Sequence, residues 1–278
     1  MKNTVKLLLW LTTTVLIFPV GCDNKNVNQS DDSLVIVGSG ACEEILKKLA
    51  DAFNQKLSDF PVIVPKSIGS SGGVRAAGIG ESIIARISRP IKEEEAGYGL
   101  EYLPFAKDPI VFAVGSGVDI KSITTEQIIK IYSGEITNWK QLGGPDSPVR
   151  VLGRETGETS RSEIEKCIPG FESAGHKDHI KTVYHDYEMV NMFEKYNSAF
   201  GYLTGSSLNE NIHPLSIDGI SPTIENVVSG KYPLIAEYAF VYKSGNLNKK
   251  AKQFLDFVFS KQGRTIMENN NIAPVSRN

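Results

Sequence analysis

Three times along this chain a short apolar run ends in a bend rich in glycine, serine or threonine, and a helical stretch follows at once. Residues 34–37 read as a buried strand, Gly38-Ser39-Gly40 as the bend, and residues 43–55 as a helix with Ile45, Leu46, Leu49, Ala52 and Phe53 on one face. Residues 62–64 form a second strand, followed by Gly69-Ser70-Ser71-Gly72-Gly73 and a helical stretch from Val74. The third unit runs from residues 149–152 through Arg154-Glu155-Thr156-Gly157-Glu158-Thr159-Ser160 into a helix beginning near Arg161. Strands that alternate with helices in this way constrain the chain to an α/β fold, with helices covering a sheet.

The stretches between agree with that class. Residues 110–114 are a strongly apolar strand, residues 124–131 a short helix capped by Thr124 or Thr125, and Gly143-Gly144-Pro145-Asp146 a turn. Near the end, residues 238–242 read as a strand and residues 251–267 as one amphipathic helix with Phe254, Leu255, Val258, Phe259 and Ile266 inward. No period of roughly 20 to 50 residues recurs, which excludes solenoids and propellers. The 278 residues carry a formal charge of −2, and no arginine-rich tract interleaved with aromatics offers a nucleic-acid surface. A monomer is expected.

At the N-terminus, Lys2 and Lys6 precede an apolar run over residues 7–18 and then Pro19-Val20-Gly21-Cys22, the layout of a secretory signal. A membrane-spanning helix needs about 20 apolar residues, and Thr12, Thr13 and Thr14 interrupt this run, so export is favoured over a retained helix. A cysteine just after a small residue resembles a bacterial lipobox, which implies a signal over residues 1–22 and a lipid anchor to the membrane on Cys22. Pro19 departs from that pattern and leaves ordinary cleavage open. Residues 23–32 are polar and aperiodic, as a flexible tether would be. Cys42 and Cys167 read as two buried thiols, because a domain of this size needs no staple.

The chemistry lies in the bends. An oxyanion taken out of water needs many directed donors, and a helix N-terminus supplies unpaired N–H groups with the positive end of the helix dipole. Glycine lets the backbone approach a ligand, while a hydroxyl either donates to an anion oxygen or accepts from its proton. Arg89 and Arg154 lie beside these bends, and a guanidinium adds a planar fork for two oxygens.

Further segments extend the pattern. In order these are Ser88-Arg89-Pro90-Ile91, Asp108-Pro109-Ile110-Val111, residues 131–139 (Ile-Tyr-Ser-Gly-Glu-Ile-Thr-Asn-Trp), Phe200-Gly201-Tyr202-Leu203, Lys231-Tyr232-Pro233-Leu234 and Ser260-Lys261-Gln262-Gly263. Together with the three bends, this series resembles the periplasmic or surface phosphate-binding proteins of ABC transporters, in the type II periplasmic-binding fold. The resemblance implies two α/β lobes with mixed central sheets and a hinge. Residues 33–114 plus 238–278 would form lobe I and residues 115–237 lobe II, with crossings near Gly115 and Glu237. It implies capture of inorganic phosphate or a related tetrahedral oxyanion, delivery to ABC permease subunits, and neither cofactor nor metal. Carried over residue by residue, lobe I contributes Ser39, Gly40, Ala41, Cys42, Ser70, Ser71, Ser88 and Arg89, and lobe II contributes Arg154, Gly157, Glu158, Thr159 and Ser160. Two positions differ from common family members. Ser88 stands where some carry an aspartate, and Glu158 where a serine is usual. A carboxylate facing an anion repels it unless it accepts the ligand's proton, so Glu158 is expected either to turn to solvent or to take that role.

Rival readings attach to single features. Gly69-Ser70-Ser71-Gly72-Gly73 fits a G-x-S-x-G elbow, so a secreted serine hydrolase using Ser71 is the alternative, with His176, His179, His185 and His213 as the available bases. A binding-fold sensor or adhesin without transport is another. His176 and His179 are spaced as one helical turn, but no cysteine or acidic cluster completes a metal site. Trp139 reads as core packing, and Glu93-Glu94-Glu95 as a solvated helix start.

Overall fold

A computed structural model describes residues 33–56 and 60–277 of the chain. The leader, Cys22 and the tether lie outside the described residues. The first half of the fold comprises β1 (Leu34–Val35), β2 (Val37–Gly38), α1 (Glu43–Lys56), β3 (Val62–Ile63), α2 (Gly69–Gly78) and β4 (Ala85–Ile87). After a 3₁₀ turn over Glu93–Tyr98 comes β5 (Leu100–Gly115), a strand of 16 residues. The chain continues through β6 (Ser122–Ile123), α3 (Thr125–Ser133), β7 (Arg150–Arg154), α4 (Thr159–Cys167), α5 (Phe171–Ala174), β8 (Lys181–Val183), α6 (Asp186–Lys195) and β9 (Ala199–Thr204). It ends with β10 (Ile212–Pro214), β11 (Ser216–Ile217), α7 (Ile224–Val228), β12 (Ile235–Lys243), α8 (Lys249–Val258), α9 (Lys261–Glu268) and β13 (Ala273–Pro274).

A nine-stranded sheet in the order β2-β4-β12-β5-β9-β7-β8 organises these elements, with β10 and β13 also paired to β5. Its outer pairs β2·β4, β9·β7 and β7·β8 are parallel, as helical crossovers require, and the central pairs through β12 and β5 are antiparallel. The long strand β5 belongs to both halves. Residues up to Pro109 pair with β12, and from Ile110 onward the strand pairs with β9. Proline has no N–H to give a ladder, so a change of partner is least costly there. Beyond it, Ile110, Val111, Phe112, Ala113 and Val114 are all buried, because helices cover both faces of the sheet.

Each half has its own aromatic centre. Phe53 meets Phe254 edge-on at 5.4 Å and Phe60 at 5.6 Å. In the other half Phe112 contacts Tyr202 at 5.6 Å and Phe200 at 5.7 Å, while Trp139 is fully buried and its Nε1–H donates to the Ser198 carbonyl at 3.0 Å. Such pairs contribute about 0.5–1.5 kcal/mol each beyond burial.

Several sequence expectations need correction. The single helix over residues 251–267 is two, because Ser260 caps α9 by accepting from the Gly263 N–H at 3.2 Å and so ends α8. α2 starts at Gly69 rather than Val74, so the glycine and serine bend is itself the first turn. Cys42 is buried, but Cys167 is exposed at the end of α4, whose inward face is carried by Ser160, Arg161 and Ile164. Glu95 is buried rather than solvated, held by Arg89 at 2.7 Å. Thr124 is the cap of α3 and forms a reciprocal box with Gln127.

Candidate functional site

Gly38 begins the first bend with a φ of +135°, and a Cβ there would sit 1.9 Å from the Arg86 carbonyl oxygen, so only glycine fits. That close approach lets the Ser39 N–H donate to the same carbonyl at 3.0 Å. The Arg86 side chain, fully buried on β4, then holds the bend from below. Its Nε donates to the Ser39 carbonyl at 2.8 Å, its Nη1 to the Ile36 carbonyl, and its Nη2 to the Pro65 carbonyl at 2.8 Å and to Glu43 at 3.3 Å. Sequence reading missed this arginine. Its one signal is a charge inside the apolar strand Ala-Arg-Ile, where an unpaired guanidinium would be very costly.

With the bend fixed, the Ser39 hydroxyl accepts from the Ala41 N–H at 3.3 Å and meets the Ser88 hydroxyl at 2.8 Å. Ser88 lies just past β4. Its N–H donates to the Ser70 hydroxyl at 3.3 Å, and the two hydroxyl oxygens are 3.4 Å apart. The Ser88 hydroxyl also meets the Thr159 hydroxyl at 3.1 Å, a contact 71 positions away in the chain. Ser39, Ser70, Ser88 and Thr159 therefore form one cluster centred on Ser88, which is 1% exposed. The cluster gathers the N-terminal ends of α1, α2 and α4, the first reached through Gly40, Ala41 and Cys42. Burial pushes the Cys42 thiol up to about 12, so it is inert packing rather than a nucleophile.

On the other side of the cluster, β7 ends in Arg154 and Gly157 turns the chain at a φ of +83° into α4. The Arg154 N–H donates to the Tyr202 hydroxyl at 3.0 Å. Its guanidinium is 8% exposed and ringed by carboxylates: Glu155 at 3.2 Å, Asp186, and Glu158 at 3.7 Å, with a further bond to the Tyr184 carbonyl at 3.1 Å. Glu158 does not turn to solvent. It caps α4, its Oε2 accepting from the Arg161 N–H at 3.0 Å, and burial raises its pKa against the pull of Arg154 and the helix amides. Ser160 is buried in the first turn of α4. Arg161 supports the bend, donating to the Arg154 carbonyl at 2.8 Å and meeting His176 at 2.7 Å.

Two expected contacts fall outside the cluster. Arg89 is clamped by both oxygens of Glu95, at 2.7 and 2.8 Å, and its Nη2 also donates to the Ser71 hydroxyl at 2.8 Å. Arginine holds the Glu95 carboxyl down to about 2. Ser71 is therefore bonded to a cation. Among the described residues His176 pairs with Arg161, His179 lies 3.4 Å from the Ile131 carbonyl and His185 stacks on Tyr187, and no histidine bonds Ser71. Among the described residues no group of three His, Cys, Asp or Glu is placed to hold a metal ion. No described helix is long and apolar enough to cross a membrane.

Comparison with known proteins agrees with the resemblance read from the sequence segments. The phosphate-binding protein PstS of Borreliella burgdorferi is 29% identical over 280 residues, covering 96% of this chain and 97% of that protein. PstS of Bacillus subtilis is 28% identical over 296 residues, covering 99% and 96%. A crystal structure from Clostridium perfringens, of a protein assigned as a phosphate ABC transporter substrate-binding protein with bound phosphate, superposes with a TM-score of 0.78 at 31% identity, covering 88% of this chain and 100% of that one. The family profile described as PBP superfamily domain matches residues 24–262, and the chain belongs to that family.

Proposed function

We propose that this chain is the exported solute-binding component of an ABC transporter, which captures inorganic phosphate between two lobes and delivers it to permease subunits without breaking a bond. The observation that carries this reading is the 3.1 Å contact between Ser88 and Thr159, which brings hydroxyls from the two halves of the fold together at three helix N-termini. Hydroxyl and amide donors that converge from separate segments can replace the hydration shell of a tetrahedral oxyanion. The relatives named for phosphate support the choice of ligand.

The lobes on this reading are residues 33–114 with 238–278, and residues 115–237. The change of partner on β5 at Pro109 and Ile110, opposite Ile235 in β12, supports a crossing close to these limits. Ligand contacts come from Ser39, the α1 amides at Gly40, Ala41 and Cys42, and Ser70, Ser88, Arg154, Gly157, Thr159 and Ser160, with the Glu158 carboxylate placed between Arg154 and the α4 amides. Ser71 and Arg89 act one layer behind, fixing the α2 turn. The mature protein is a monomer tethered by residues 23–32, with Cys22 as its lipid anchor.

Titration calorimetry on the mature chain with phosphate, sulfate, molybdate and arsenate tests the reading. A single phosphate site per chain is expected, and Arg154→Ala should abolish tight binding because it removes the fork in the second lobe. Absence of phosphate heat in the unmodified protein, together with retained folding, would sink the proposal.

A further inference from the structure

Two kinds of donor in the second half of the fold can hold an oxyanion: the first amides of α4 and the guanidinium of Arg154. Glu158 already engages both. One carboxylate oxygen accepts from the Arg161 N–H at 3.0 Å, and the other lies 3.7 Å from Arg154 Nη1. The residue immediately precedes Thr159, whose hydroxyl meets Ser88 in the cluster, and its side chain is only 11% exposed. Capping alone does not explain a glutamate here, since serine, threonine, aspartate and asparagine cap more effectively with shorter side chains. The extra length is what lets one carboxylate span the helix end and the arginine.

We infer that Glu158 is a built-in competitor for the donors of the ligand site, so that capture of an oxyanion is an exchange in which the Glu158 carboxylate gives up Arg154 and the α4 amides. The inference rests on the reading of the cluster as a phosphate site. A bound anion beside an ionised Glu158 would face a like charge in a water-poor place, and either protonation or withdrawal of the side chain relieves it. The charged and titratable groups around it are Arg154 and Glu155 at the end of β7, Arg161 on α4, Asp186 on α6 and the Tyr202 hydroxyl on β9. Burial and the charge of Asp186 favour the protonated form, while Arg154 and the α4 amides oppose it. Proton uptake from solvent as the pH falls therefore removes the competitor.

Calorimetry with inorganic phosphate near pH 8 and near pH 5.5, on the wild type, Glu158→Gln and Glu158→Ser, tests the exchange. Gln keeps the length and Ser keeps a cap oxygen, so failure of one variant to fold leaves the other as the test. Both variants should bind about fivefold or more tightly than the wild type near pH 8, a difference of roughly 1 kcal/mol, and the gap should narrow near pH 5.5. The ionisation of phosphate itself cancels in that comparison. Variants no tighter than wild type near pH 8, or a gap that stays constant with pH, overturn the inference. A wild type that binds no phosphate at either pH overturns the reading of the site instead.

Discussion

Ser88 occupies the centre of the cluster because of what lies behind it, and the decisive residue is Arg86 two positions earlier. That guanidinium satisfies the carbonyls of Ile36, Ser39 and Pro65 and pairs with Glu43, so the bend carrying Ser39 is fixed from beneath. Arg86→Met would leave those buried carbonyls without donors, at a cost of about 1–3 kcal/mol for each, while Glu43 keeps its pair with Lys47. Urea unfolding should show the loss as a lower midpoint, and an unchanged midpoint would remove Arg86 from this role. The Arg89 and Glu95 pair makes a separate prediction with a defined pH window. Glu95 is depressed to about 2 in the folded chain. A lowered carboxylate contributes stability that is complete above its unfolded pKa, near 4.5, and is lost as the pH falls through 2. Glu95→Gln should therefore destabilise by up to about 3 kcal/mol near pH 7 and by much less near pH 2, as read from melting curves at the two pH values.

At the scale of elements, the approach of α2 to the first bend sets how closely Ser70 and Ser39 can come together. Gly73 permits it, because a Cβ there would lie 3.0 Å from both the Gly38 Cα and the Arg86 carbonyl oxygen. Gly73→Val should force α2 away, costing about 1–3 kcal/mol from overpacking and weakening phosphate binding more than a matched change at the exposed Gly97, which has open space and no positive φ. Equal binding by the two variants would show that the position of α2 is not what tunes the site. This helix also marks where sequence reading ends. The three strand-bend-helix units were legible, because buried strands, helical faces and glycine bends leave local patterns, whereas the meeting of Ser70, Ser88 and Thr159 was implied by the family resemblance alone. The start of α2 at Gly69 was not, since glycines and serines have poor helix propensity and here packing against Gly38 and Arg86 overrides it. The partners of Arg86 and the cap formed by Glu158 were hidden for a related reason: each depends on which carbonyl or amide lies beside the side chain in space.

At the scale of the whole molecule, β5 carries the chain from one half of the sheet to the other, and Asp108 lies where it does so. The apolar run over residues 110–114 was visible in the sequence, but the partner change at Pro109 was not, because strand pairing is set by distant segments. Asp108 is fully buried and accepts from the Ser206 N–H at 3.2 Å, from the Ser206 hydroxyl, and from the Tyr238 hydroxyl at 2.9 Å. Ser206 follows β9 and Tyr238 is on β12, so one carboxyl ties together the two strands that flank β5 on either side of the crossing. Burial raises its pKa from 3.8 to about 7, although those hydrogen bonds pull it back. Between these two values the folded chain holds a proton that the unfolded chain has lost, so the contribution is full below 3.8 and disappears as the pH rises through 7. The span corresponds to on the order of 4 kcal/mol. Asp108→Asn removes the titration while keeping groups able to bond Ser206 and Tyr238. Melting or urea unfolding at about pH 4.5, 6 and 7.5 should show the variant gaining on the wild type as the pH rises, whereas parallel curves would show that Asp108 stays ionised at the crossing.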